Sequence, residues 1–385
     1  MKTGYPGVTY MGGDFAVNGF FALSDTIMVW AYVDVDDPFP SLASCFAFVC
    51  KRSARLLPMY YVCLVARVVV DQVNGADEFS QSYWRQLIGD VLMLNCWIGE
   101  ALDSFANLMW MIQSLFWCSF MFPFVVRHCH RHLLERKMQV TCGVVAYYGL
   151  LSWLVPIAVA SVYAALRGFP FEVESLAQKT LEEPWYPLRR AIWRTRESPL
   201  ARIMPLFLTV HLAIATKAEK WAPPSGLNLI SWGACVTTYY FAWISPSYIF
   251  TERYFLSEFV GLPFMAVALP LLVYAERHGQ LPLVSSNRLT RYLASASEMG
   301  LSFYCWQALL LDHIEYLFAS LGATFPMNKA QALQVLPLGL GLSLVAGHVS
   351  LHFLEKPLSV AARPFLLSLF GLNTPKAKAT THELA

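Results

Sequence analysis

The chain has 385 residues, of which 56% are hydrophobic and 14% charged, and its formal net charge is +2. That composition is too apolar for a soluble domain of this length. The net charge says little about nucleic acid, and no basic tract with interleaved aromatics supports that class, so no nucleic-acid partner is expected.

Nine cysteines, among them Cys45, Cys50, Cys118, Cys129 and Cys305, are scattered without a CxxC pair, most of them in or beside apolar runs. They read as small buried hydrophobes and not as a disulfide framework. No charged n-region with a small-residue cleavage site opens the chain, so no cleavable signal peptide is expected.

Apolar runs long enough to cross a bilayer recur along the whole length. They predict an all-α fold, a polytopic integral membrane bundle of about nine transmembrane helices. In chain order the runs lie near Phe15–Val33, Leu56–Val73, Phe105–Val126, Val140–Leu166, Ile203–Thr216, Leu227–Ser245, Phe255–Ala275, Met299–Phe318 and Ala332–Leu354. Leu87–Ile98 is too short to span and is placed at the interface. Residues 1–14 form an N-terminal segment, 15–357 the transmembrane domain, and 358–385 a cytoplasmic C-terminal tail whose polar end, Asn373–Ala385, lacks apolar periodicity.

Charge orients the bundle. With Lys51–Arg55 in the cytoplasm, alternation brings Arg127, Arg131, Arg136, Lys137, Lys217, Lys220, Arg277, Arg288, Arg291, Lys356, Arg363, Lys376 and Lys378 to the same side. Short loops on the other side hold little beyond Arg85, Arg253 and Lys329, beside Asp71, Asp77 and Glu78. The long outer loop Arg167–Arg202 carries both signs with Trp185, Tyr186 and Trp193, and reads as segments lying on the membrane surface. The odd span count puts the N-terminus outside and the C-terminus inside.

The stretch KRSARLLPMYY, Lys51–Tyr61, concentrates three cations just before Pro58. On a helix Lys51, Arg52 and Arg55 point broadly to one side, and Pro58 suits the first turn of the next helix. Two readings stand: a positive-inside anchor, or an anion site in which arginine forks grip phosphate.

Around this step the sequence resembles the acyltransferase 3 family of membrane O-acyltransferases. The family's "GVDxFFxLSGF" span and basic "RRxxRLxPxY" step have counterparts in AVNGFFALSDT and KRSARLLPMYY. NCWIGEALDSFANLMW resembles the approach to its "WSLxxE" helix, which ends here in MFPF. SPLARIMPLFLTVH, GLSFYCWQ and HFLEKP follow in family order, so the resemblance runs from about Val17 to Pro357. Matching positions are Ser24, Lys51, Arg52, Arg55, Pro58, Asn107, Trp110, Tyr304, Glu355 and Pro357.

There are departures. The family's first span, with a catalytic His some ten residues after an Arg or Lys, has no counterpart ahead of Val17. Its Asp in "GVD" is Asn18, the glycine after its Ser is Asp25, its helix glutamate falls on Leu115, and its later His falls on Gln307. A chain missing an N-terminal helix and a diverged relative both account for this.

The resemblance implies acyl-CoA as co-substrate and a hydroxyl of a sugar, lipid or glycan as acceptor, with Lys51, Arg52 and Arg55 on the CoA phosphates. Acyl transfer also needs a base and donors for the oxyanion. His348, His352 and Glu355 lie at i, i+4 and i+7 and form a polar stripe on the last predicted helix, which makes them the candidate catalytic group. A stripe that only faces other helices is the plainer reading of the same residues. His128, Cys129, His130 and His132 read as a solvated juxtamembrane stretch, and no metal is expected. Asp25, Arg67, Gln113, His211 and Glu258 fall inside apolar runs, where a charge costs about 2.5–3.5 kcal/mol on insertion scales, and so imply a polar cavity. A cavity suits an enzyme, a transporter of a small polar solute, or a non-catalytic relative. No pair of Gly/Pro-broken helices in matching halves favours the transporter.

Overall fold

A computed structural model describes residues 8–34, 38–73, 81–98, 110–135, 142–167, 195, 198–218, 262–278, 300–306 and 341–372. All regular structure among them is helical. The first helices are α1 (Val8–Tyr32), α2 (Leu42–Val73), α3 (Gln81–Val91) and α4 (Asn95–Ile98). Next come α5 (Trp110–His130), prolonged by a π turn at Arg131–Glu135, and α6 (Cys142–Arg167). The helices α7 (Pro199–Lys217) and α8 (Leu262–Arg277) follow. Residues 300–306 are helical, and a last helical run from 341 passes through a π turn at Leu351–Glu355 into α9 (Lys356–Leu369).

Helix α7 is the axis of the bundle, packed by α1, α5, α6 and α8. Its sequence suits that place: apolar residues occupy nearly every face, as a helix enclosed on all sides requires. Pro199, at the helix start, sits where its missing N–H has no intrahelical acceptor to lose. Contacts at the two ends of α7 fall at the same offset from α1. Arg202 meets Asn18 and Lys217 meets Val33, each pair 184 residues apart, so the two helices run parallel in register. At the far end Lys217 Nζ donates to the carbonyls of Val29, Trp30 and Val33 at 3.2, 2.9 and 2.6 Å. This cation supplies a donor to the Trp30 and Val33 carbonyls at the end of α1 and shares the Val29 carbonyl with the Val33 N–H. Arg277 lies over the Trp30 ring, 4.5 Å from its centroid, at the same end.

Helix α2 differs from the expectation. It begins at Leu42, fourteen residues before the predicted Leu56, and runs unbroken through Pro58. Pro58 therefore sits in a helix interior and does not open a new helix. The early start has a local cause. Ser41 and Ser44 cap each other reciprocally, Ser44 N–H to Ser41 Oγ at 3.1 Å and Ser41 N–H to Ser44 Oγ at 3.2 Å, a capping box built from two serines. The basic step depresses local hydropathy without breaking the helix. The interior proline is tolerated where neighbouring helices support the freed backbone, and α9 and α5 pack along α2. Residues 358–369, assigned by sequence to the tail, belong to α9 on that flank.

The short segment predicted for the interface forms α3 and α4, joined through Met93 in the left-handed region at φ 56°. Trp117 Nε1 donates to the Met93 carbonyl at 2.8 Å and holds that turn against α5.

Large apolar side chains remain exposed at helical spacing, Phe20, Leu23 and Ile27 on α1, and Tyr147, Leu150, Leu154 and Ile157 on α6. Two helices among the described residues are long and apolar enough to cross a membrane, at Leu42–Val70 and Pro199–Lys217. The predicted span Leu227–Ser245 lies outside the described residues, as do residues 307–340 and the Asn373–Ala385 tail.

Candidate functional site

One set of interior polar groups, Asn18, Asp25, Arg202 and Thr209, lies between α1, α5 and α7, with Arg52 reaching in from α2. A helix presents residues three or four apart on one face, and α1 turns Asn18, Phe21, Ala22 and Asp25 inward. Opposite them α7 supplies Arg202, Pro205, Leu206 and Thr209, and α5 supplies Cys118. A small cleft opens between Phe21, Asp25, Cys118, Arg202, Thr209 and Leu262.

Arg202 is 2% exposed. Its Nη1 donates to Asn18 Oδ1 at 2.5 Å, and its guanidinium lies 4.9 Å from the Phe21 ring centroid and 5.7 Å from that of Trp110. A buried cation needs such acceptors and ring faces to replace its lost hydration. From the other side α2 sends in Arg52, whose Nη2 donates to Ser24 Oγ at 3.1 Å. Arg52 and Asp25 lie within electrostatic reach of each other. Asp25 Oδ1 and Thr209 Oγ1 are buried without a hydrogen-bond partner.

The basic step therefore does not act as one unit. Lys51 and Arg52 are half-buried, Arg52 reaches α1, and Arg55 points away with a 52% exposed side chain. Arg55 Nε lies 3.9 Å from Glu355 Oε1, and Ser302 Oγ donates to Glu355 Oε2 at 2.5 Å. Glu355 is buried at the end of the π turn. His348 and His352 are exposed, their ring centroids 4.7 Å apart. The π turn adds a residue to the helical repeat between His352 and the following helix, so this carboxylate enters the bundle while the two imidazoles stay outside. Nearby, Trp306 Nε1 donates to Ser350 Oγ.

Among the remaining family-matching positions, Trp110 is buried against Phe21 with ring centroids 6.4 Å apart, and Tyr304 packs half-buried between the two main core clusters. Asn107 and Gln307 lie outside the described residues. The His128 and His132 rings meet at a tilt with centroids 4.4 Å apart, His128 also meets Phe207 edge-on, and buried His211 lies 5.6 Å from Tyr148. No group of three or more His, Cys, Asp or Glu among the described residues is arranged to hold a metal ion.

Sequence reasoning missed a second polar knot. Gln113 Nε2 donates to Tyr60 OH and to Asp90 Oδ1, each at 2.9 Å, and its Oε1 accepts the Cys96 N–H at 3.2 Å. Asn95 Nδ2 donates to Asp90 Oδ1 at 2.7 Å and to the Gln86 carbonyl at 2.9 Å. This network ties α2, α3, α4 and α5 together. Its signal was a polar residue, Gln113, inside an apolar run, paired with the Asp90–Asn95 spacing.

Comparison with curated proteins finds similarity to the acyltransferase MdmB of Streptomyces mycarofaciens, 24% identical over 215 residues, covering 55% of this chain and 49% of that protein. The chain thus spans about half the length of the curated relative it matches. No family model matches the chain, and no solved structure matches it. The similarity supports a relationship to acyltransferases.

Proposed function

We propose that this chain is a membrane-embedded O-acyltransferase of the acyltransferase 3 kind. It moves an acyl group from acyl-CoA to a hydroxyl of a sugar, lipid or glycan. Its bundle crosses the membrane many times, with the C-terminus in the cytoplasm. The exposed apolar stripes of α1 and α6 face lipid. Lys217 and Arg277, at the C-terminal ends of α7 and α8, mark the cytoplasmic side.

The observation that carries this reading is Arg52. A topology anchor belongs at the rim, yet about three helical turns of α2 precede Arg52, and it bonds Ser24 beside Asp25 in the interior. A cation placed there serves an anion or a developing negative charge. Lys51 and the exposed Arg55 extend positive charge outward along the same helix, where CoA phosphates dock.

The test replaces both arginines, Arg52→Lys with Arg55→Lys, in the full chain purified in detergent. Lysine keeps the positive-inside signal and loses the bidentate fork. Each charge-assisted bond contributes about 1.5–3 kcal/mol, so acetyl-CoA affinity, measured by calorimetry at fixed ionic strength, falls by roughly tenfold or more. Unchanged affinity in a correctly inserted variant refutes the clamp, and a wild type that binds no acetyl-CoA refutes the function.

A further inference from the structure

We infer that Asp25 is the proton acceptor of the acyl transfer, and that the cleft between α1, α5 and α7 receives the attacking hydroxyl. The inference rests on the acyltransferase reading above.

Three observations converge on this carboxylate. First, Asp25 is 4% exposed and its Oδ1 has no hydrogen-bond partner, although burying a carboxylate oxygen unpaired costs several kcal/mol. A fold keeps such a group where a ligand completes it. Second, the same cleft holds a second orphaned oxygen, Thr209 Oγ1. Two polar atoms left open on facing helices, in a space about the size of a water, are complementary to one hydroxyl, which can donate to the carboxylate and accept from the threonine. Third, the cleft is bordered by Arg202, and Arg52 acts on Asp25 from the α2 side. Arg202 supplies positive charge for the oxyanion that forms next to the base. Of the three candidates on the polar stripe of the last helix, His348 and His352 are exposed and Glu355 is already bonded to Ser302. None of the three lines this cleft.

The step balances without a further reactant. The acceptor oxygen attacks the thioester carbonyl carbon as its proton passes to Asp25. The tetrahedral intermediate collapses, the C–S bond breaks, and the proton moves from Asp25 to the leaving thiolate. The products are an oxygen ester and free CoA thiol.

Acetyl-CoA hydrolysis tests the assignment, with water as the hydroxyl probe and CoA release followed by chromatography on the full chain in detergent. Asp25→Asn keeps the shape and cannot take the proton. Turnover is expected to fall at least 100-fold, with acetyl-CoA affinity within about twofold of wild type. Asp25→Glu, which retains a carboxylate, recovers part of the rate. Asp25→Asn turnover within threefold of wild type overturns the inference, and so does a loss of affinity equal to the loss of rate. A wild type that binds acetyl-CoA but releases no CoA overturns it as well and leaves the CoA-binding reading intact. A wild type that binds none removes both.

Discussion

Removing the carbonyl of Asn18 tests whether the Arg202 contact holds α1 against α7. Both residues are essentially inaccessible, 0% and 2% exposed, and their bond is 2.5 Å long. A hydrogen bond to a charged group contributes about 1.5–3 kcal/mol. In Asn18→Ala the cation stays buried and keeps the Phe21 and Trp110 rings, whose attraction is about 0.5–2 kcal/mol. The net cost is therefore at least the bond itself, about 1.5–3 kcal/mol. Arg202→Met removes the charge together with its desolvation and should cost less than the loss of its contacts suggests. A double-mutant cycle isolates the shared part, and the coupling expected between the two positions is about 1.5–3 kcal/mol. Unfolding in detergent, followed by tryptophan fluorescence, reads all four proteins. A single-variant cost below about 0.5 kcal/mol, or no coupling, refutes the argument.

Three further outcomes follow from the same packing. Gly89→Ala places a methyl 1.9 Å from Asn95 Oδ1, so Asn95 must abandon Asp90 and Gln86; a loss above about 2 kcal/mol, seen as a large fall in thermal midpoint, is expected. Gln113→Met conserves volume but strips hydrogen bonds from Tyr60, Asp90 and the Cys96 N–H, with an expected cost of about 2–4 kcal/mol in the same unfolding assay. Lys217→Met removes the side-chain donor from the Trp30 and Val33 carbonyls, leaves Val29 with only the Val33 N–H, and costs about 1–2 kcal/mol; hydrogen exchange should rise at the last turn of α1 while the Asn18 end keeps its protection.

Hydropathy located the helices because partition between water and an apolar phase is a local property of about twenty residues. Thus α1, α5, α6 and α7 stand close to where their apolar runs predicted them. It misplaced the start of α2, because three cations lower a window average while leaving the helix whole. The Ser41–Ser44 box that sets the true start is legible once the two serines are read as caps. Spacing alone put His348, His352 and Glu355 on one stripe, and the π turn at Leu351–Glu355 decided that only the glutamate enters the interior. Composition could say that Asp25 and Gln113 needed a polar interior, since an intramembrane charge or amide is costly anywhere in an apolar run. It could not say which partner each would take. Asn18 finds Arg202 across 184 residues, Arg52 turns from its own basic step to Ser24, and Gln113 closes on Asp90. Those choices depend on which helices lie side by side, and that order is set by packing around α7 and not by any local window.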